Sequence, residues 1–293
     1  MRLVFGSVHG RVPFALTREA IEVQGTVVPY VAGQRVRVVF YSDGHEFAAR
    51  TAAVGPHGKG TGVFRATVSS TVSGRVRAIA SHVATPQLEQ LQAGSEDMTV
   101  LSPPYLSIGS SGAAVWVLQR TLAALHYAVP QSGYFDEATS DAVVAFRKLT
   151  DLPRVGYADT SVFHALKRGE GAFHVRYPHQ GSHVEADLTY QVLAEIEPGG
   201  RVRDIYPTSS GKPSTPTVLG QFSVYSKTPG ENSEEMLDAN YFIRGYAIHG
   251  YPEVPTYAAS HGCLRVPNLD ASSIYGWVQL GTTVDVYYAS YGS

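Results

Sequence analysis

The chain holds a single cysteine, Cys263, inside the run Ser260-His261-Gly262-Cys263-Leu264-Arg265, with Ile248-His249-Gly250 a loop's length upstream. Those residue types at that spacing point to nucleophilic chemistry. A thiol attacks as its thiolate, and a nearby imidazole can take the proton or stabilise the anion. Gly262 leaves the backbone beside the thiol unshielded, so amide N–H groups there could face an oxyanion. Arg265 offers a rigid, bidentate partner for a carboxylate. A nucleophile, a base, an oxyanion site and a carboxylate anchor together describe acyl transfer at a peptide carbonyl. Two plainer readings stand beside this one. A lone cysteine is often an inert buried hydrophobe, and His249, His261 and Cys263 together also suit zinc. Upstream, the run Asn240 to Tyr246 brings Tyr241 and Tyr246 forward as candidates to line a substrate groove, although strand alternation would bury half of its aromatics. His174, His179 and His183, around Pro178 and Gly181, are read as linker residues.

Composition narrows the setting. A length of 293 residues suggests about two domains, with three small ones possible. Hydrophobic residues at 44% can build a core, whereas charged residues at 16% fall below the average of about 25%, which favours strands and loops over salt-bridged helices. The net charge of -2 argues against a nucleic-acid partner. One cysteine excludes an intramolecular disulfide and a Cys-rich zinc site. The uncharged run from Met98 to Gln119 carries Pro103-Pro104, Gly109 and Gly112, so it is no bilayer helix. Leu3-Val4-Phe5 is too short for a signal-peptide core, so either the chain is cytoplasmic or a targeting segment lies outside this sequence.

Three stretches must position the chemistry. Residues 1–102 read as all-β. Arg35–Tyr41, Phe64–Ser69 and Arg75–Ile79 alternate, and turn signals separate them at Gly33, Asp43-Gly44, Gly58–Gly60 and Ser73-Gly74. Short strands at this spacing predict a β-sandwich, and the opening strands resemble a bacterial immunoglobulin-like module. His45, His57 and His82 are read there as solvated loop or strand histidines. After Pro103-Pro104 the period changes. Val115, Leu118, Leu122 and Leu125 mark an amphipathic helix, with Ser110 or Ser111 placed to cap it. Val143, Phe146 and Leu149 mark a second helix introduced by Asp136, and Thr160–Lys167 a third. From 172 onward strands return over 184–188, 190–196, 202–206, 220–225 and 283–287, with one helix over 271–278.

The helical stretch, 104–169, resembles the small three-helix peptidoglycan-binding domain in its Gly112-x-x-Val115-x-x-Leu118-Gln119, Gly133-Tyr134-Phe135-Asp136-x-x-Thr139, Ala142-Val143-x-x-Phe146 and Gly156-x-x-Asp159. It departs from that family at His126-Tyr127, where Gly-Tyr is usual, and at Arg147, where Gln is usual. Residues 172–293 are identified as a member of the L,D-transpeptidase catalytic domain family. The match rests on His249-Gly250, on Ser260–Arg265, on Thr208–Pro213 and on Thr215–Phe222. Arg265 stands where some members carry Asn, and Gly250 where some carry Ser, so a backbone carbonyl is expected to orient the imidazole.

The resemblance implies a multidomain fold: an Ig-like β-sandwich (1–102), a three-helix domain (104–169) and a mostly-β catalytic domain (172–293). It implies a cysteine transpeptidase that uses peptidoglycan stem peptides as donor and acceptor. Cys263 is the nucleophile, His249 the general base, His261 a residue shaping the loop, and Gly262 part of the oxyanion site. Arg265, Ser260, Gly250, Tyr241 and Tyr246 fall on the substrate side. No cofactor and no metal are implied, and carbapenems are expected to acylate the thiol. An L,D-carboxypeptidase with water as acceptor, or a non-catalytic wall-binding protein, are the alternatives. The reaction belongs in the cell envelope, so an export or membrane-anchoring segment is expected outside this sequence.

Overall fold

The computed structural model describes residues 1–5, 13–82 and 89–289. Two compact units emerge, Met1–Pro104 with Lys167–Gly169, and Tyr105–Leu166 with Glu170–Ser293. The protein is mostly β, with four helices among the described residues.

In the first unit one sheet runs β1 (Arg2–Phe5), β3 (Ala20–Val27), β7 (Gly62–Ser69), β6 (Gly55–Pro56). The other runs β2 (Phe14–Leu16), β10 (Met98–Leu101), β8 (Gly74–His82), β4 (Arg35–Ser42), β5 (His45–Ala53), with β9 (Leu91–Gly94) also on β8. Alternate residues of both sheets share one core, Val23, Phe64 and Ala66 from the first and Val38, Phe40 and Ala78 from the second. The alternating runs of the sequence thus become β4, β7 and β8. His45 and His57 are exposed, but His82 is buried at the end of β8 rather than solvated.

The second unit opens with α1 (Ala113–Ala124), α2 (Glu137–Leu149) and α3 (Thr160–Lys167). Val115, Leu118 and Leu122, then Val143 and Phe146, then Val162, Phe163 and Leu166 are buried, as their helical spacing requires. The amide of fully buried Gln119 joins them, donating to Tyr134 O and Thr139 Oγ1 and accepting from Gly133 N. Asp136 caps α2 by accepting from Thr139 N at 2.8 Å. The cap expected for α1 is different. Gly112 occupies the position without a side-chain bond, and the Ser110 hydroxyl accepts from Ser107 N instead. A glycine at positive φ there starts the helix from a turn that a serine would strain.

The remainder builds two sheets. One runs β13 (Arg201–Pro207), β12 (Val192–Glu197), β11 (His183–Asp187), β19 (Thr283–Tyr287), β14 (Gly220–Ser223). The other runs β15 (Ser226–Glu231), β16 (Leu237–Ile243), β17 (Tyr246–Tyr251), β18 (Leu264–Pro267). Helix α4 (Asn268–Trp277) packs on the second, and Val184, Leu193, Val284, Phe242, Ile248, Leu264, Val266 and Ile274 share the core. Four expectations are adjusted. The strand expected over 190–196 starts at Val192, because Gln191 turns at φ 59°. The strand over 220–225 stops at Ser223, where the chain passes from one sheet to the other. The helix starts at Asn268, directly after Pro267. His183, read as linker, is fully buried in β11, with Nε2 3.1 Å from Glu185 Oε1.

The segment after α1 lies along the free edge of β13: Ala128 N donates to Ile205 O at 3.1 Å and Ile205 N to His126 O at 2.8 Å. Removing the cap in Asp136→Ala is expected to cost about 1 kcal/mol, read as a lower urea midpoint of the transition that melts α2.

Candidate active site

Strands β17 and β18 pair in parallel, Ile248 with Leu264 and His249 with Arg265. Side chains alternate across a sheet, so two sets separate. Ile248, Leu264 and Val266 enter the core with Ile274 of α4. Ala247, His249 and Arg265 share the other face, joined by Cys263 one residue before β18. Ala247 and Cys263 pack there with Met236, Ala239 and Tyr241.

The two central groups are both held uncharged by burial. The His249 ring is nearly buried, and its Nδ1 lies 2.8 Å from Gly250 O. A carbonyl only accepts, so Nδ1 carries the proton and Nε2 keeps its lone pair, the form a general base requires. Burial pulls the imidazole down to about 4, and the positive charge of Arg265 acts in the same direction. Burial pushes the Cys263 thiol up, opposed by the Ala247 N–H and by Arg265. The Ala247 N–H donates to Sγ at 3.4 Å, and the thiol faces Gly245 O at 3.8 Å. Both shifts favour the neutral thiol and the neutral imidazole at rest.

The loop that carries Cys263 is moulded on residues 208–217. Ser209 and Arg265 exchange backbone bonds, Ala259 N and Ser260 N both donate to Ser210 O, and Lys212 N donates to Ser260 O. Side chains add to this: Thr208 Oγ1 donates to Arg265 O, Ser209 Oγ to Tyr257 O, and Thr217 Oγ1 to Gly262 O. Within the loop, buried Ser260 donates to Cys263 O at 2.6 Å and accepts from Gly262 N at 3.0 Å. Gly262 sits at φ 121°, and any side chain there would overlap the Tyr246 ring.

The candidate residues divide accordingly. Cys263, His249, Arg265 and Tyr241 share one face, and Tyr246 covers Gly262. Ser260 and the Gly262 N–H are engaged inside the loop. A Cβ on Gly250 would meet Ala271 and Asn268 of α4 at 2.7 Å, so this glycine allows the helix to seat, while its carbonyl orients His249. His261 is exposed, with Nε2 3.1 Å from Lys212 Nζ. The half-buried Arg265 guanidinium lies 3.8 Å from the Tyr251 ring centroid and makes no ion pair among the described residues, which leaves its charge for a ligand. Tyr251 was not among the candidates. It also meets His249 edge-on, with centroids 5.8 Å apart. Its signal was the period of two along β17 from His249. The positions of Thr208, Ser209 and Thr217 against the loop depend on long-range pairing, which no local pattern carries.

A scan against protein families matches residues 181–286 to the L,D-transpeptidase catalytic domain and residues 111–166 to a peptidoglycan binding domain. Among solved structures, the L,D-transpeptidase from Xylanimonas cellulosilytica is 34% identical, covering 63% of this chain and 98% of that one, with a TM-score of 0.59. An L,D-transpeptidase from Stackebrandtia nassauensis is 22% identical over 64% of this chain and 99% of that one, TM-score 0.40. One from Mycobacterium tuberculosis is 13% identical over 97% and 98%, TM-score 0.33. A search of curated proteins found no match.

Burial raises the thiol and lowers the imidazole, so both shifts disfavour a thiolate–imidazolium pair near neutrality. Alkylation of Cys263 by iodoacetamide should climb steadily from pH 7 to 9. A rate plateau beginning near pH 6 would contradict the neutral pair.

Proposed function

Since the chain belongs to the L,D-transpeptidase family, we propose that it forms 3→3 cross-links between peptidoglycan stem peptides through a thioester on Cys263. The observation that carries this reading is the shared face of Cys263, His249 and Arg265, with the imidazole oriented by Gly250 O so that Nε2 is the free base.

In the first half-reaction Nε2 of His249 takes the thiol proton as Sγ attacks the carbonyl of the third residue of a tetrapeptide donor, usually a diaminopimelate. The tetrahedral intermediate collapses, the His249 proton goes to the departing amine of the terminal D-alanine, and the thioester remains. In the second, the side-chain amine of an acceptor stem attacks the thioester carbonyl. His249 takes the amine's proton and returns it to the Cys263 thiolate as the new peptide bond forms. Since Ser260 occupies the Gly262 N–H, the neighbouring Cys263 amide is the better oxyanion donor. Arg265, stacked on Tyr251, receives a stem carboxylate. Tyr241 and Tyr246 line the groove, and His261 shapes the loop.

The same reading makes the thiol a target for carbapenem acylation and places the enzyme outside the cytoplasm, on the wall. The helical stretch would contact peptidoglycan, and the N-terminal two-sheet unit would be an Ig-like module.

Tetrapeptide muropeptides incubated with the protein should yield 3→3 dimers by mass spectrometry. Cys263→Ala should yield none, and His249→Ala should be slower by about 10²–10⁴-fold, the usual worth of a positioned base. Tripeptide without dimer would replace this reading with carboxypeptidase action. Turnover that survives Cys263→Ala would remove the thioester mechanism.

A further inference from the structure

Helix α2 presents Lys148 to the catalytic sheets, and the side chain is almost completely buried. Its Nζ donates to Gln191 O at 2.8 Å and to Thr208 O at 2.9 Å. Both carbonyls belong to the support of the nucleophile loop. Thr208 N donates to Gln191 O, and the Gln191 side chain accepts from Ser210 N and donates to Ser210 Oγ, each at 2.8 Å. Thr208 Oγ1 then donates to Arg265 O at 2.7 Å, and Ser210 O receives the amides of Ala259 and Ser260. From Lys148 the path to the loop is one residue long: Nζ to Thr208, and Thr208 to Arg265, two positions from Cys263.

A second hold runs beside it. Arg154, in the turn after α2, donates from Nη1 to Thr256 O at 2.8 Å and from Nη2 to Thr189 O at 3.3 Å. Thr256 precedes Tyr257, whose carbonyl accepts from Ser209 Oγ. The helical stretch thus grips the segment beneath the loop and the loop's own start. Burial brings the Lys148 amine down to about 7, with Arg154 nearby lowering it further and Asp141 opposing. Such a group is costly to place unless its hydrogen bonds are used.

We propose that Lys148 is a positioning residue of the active centre, which makes the three-helix stretch a working part of the catalytic unit in addition to any contact it makes with the wall. The inference rests on Cys263 being the nucleophile of the proposed reaction, but not on which acceptor it uses. Lys148 touches no substrate. It sets where residues 208–210 lie, and they set where Cys263 and Arg265 lie. Misplacement of a reacting group by about 1 Å can cost 10²-fold.

The test uses the full chain with Lys148→Met, which keeps the length of the stem and removes the donor, and Arg154→Ala, a milder change at a half-buried site. Two readouts separate this inference from the proposed function. The first is the pH profile of Cys263 alkylation by iodoacetamide, which needs no peptidoglycan. The second is kcat and KM with muropeptides. Lys148→Met should fold by circular dichroism, shift the alkylation midpoint down toward the ordinary thiol range as the loop loosens, and lower kcat at least tenfold with KM within threefold. A Lys148→Met/Thr208→Val double variant should lose no more than the worse single variant, because both act on one path. A folded Lys148→Met with the wild-type alkylation profile overturns the inference. If that variant does not fold, Arg154→Ala decides: a severalfold lower kcat at unchanged KM supports the inference, and a rate within twofold of wild type overturns it. Absence of dimers from the wild type, with the alkylation shift present, would strike the transpeptidase reading and leave the positioning role standing.

Discussion

The parallel ladder between β17 and β18 is the constraint on which the site depends. Its register places Ile248 beside Leu264 and His249 beside Arg265. A slip of one residue would turn Leu264 and Val266 out of the core and drive Cys263 and Arg265 into it. Each fully buried Leu, Ile or Val is worth roughly 1.5–3 kcal/mol, and burying an unpaired guanidinium costs several more, so the alternative pairing is heavily disfavoured. Two further features lock the same register. Gly250 lets α4 approach β17 closely, and Ser209 exchanges backbone bonds with Arg265 on the other side of β18. The core therefore selects the arrangement of the opposite face, with the cost of burying Arg265 acting in the same direction.

That arrangement carries an electrostatic tension. The burial that aligns His249 and Cys263 also disfavours an ion on either. Arg265 favours a thiolate and disfavours an imidazolium, so its two effects on proton transfer between them oppose each other. A carboxylate bound to Arg265 would cancel its charge at both groups together. What then changes on binding is the exclusion of water and the presence of an electrophile within reach of Sγ. In the proposed reaction the thiol would accordingly ionise as the attack occurs, rather than rest as a thiolate.

The residues of the proposed site were legible because they are local. Cys263, Gly262, Arg265 and His249 fall in two short runs, and the loss of a side chain at Gly250 already pointed to a carbonyl as the orienter of the ring, which Gly250 O is. Helix α3 coincides with its expected span, and the alternating runs became strands. What escaped depends on partners distant in sequence. The α1 cap went to Gly112 because the chain enters the helix through a turn at positive φ, not because serine caps poorly. Val224 and Tyr225 continue the alternation of residues 220–223 through the passage between sheets, so the pattern gave no sign of a break. His183 resembled a linker residue because its partner, Glu185, is only meaningful once β11 is central in a sheet. Ser260 looked like a substrate contact and instead closes the loop on itself.

Lys148 is the sharpest instance of a residue whose sequence position conceals its role. On α2 it follows Arg147 in the last turn, where a basic side chain suits the helix dipole and ordinarily points to water. Here it is buried, and a methionine would fill the same volume without the cost of desolvating an amine. Packing therefore does not explain the lysine. The two carbonyls it meets do, because residues 208–210 already spend their other polar groups on Gln191, Arg265 and the 259–260 amides. With the amine absent, Thr208 O would face an apolar side chain in a dry interface, an unmet acceptor costing about 1–3 kcal/mol. The segment would relieve that cost by moving, and the loop that holds Cys263 is bonded to it at several points. The edge contact at β13 could be kept by backbone alone, with almost any side chains on the helices. The Lys148 contact ties the helical stretch to the nucleophile loop in particular.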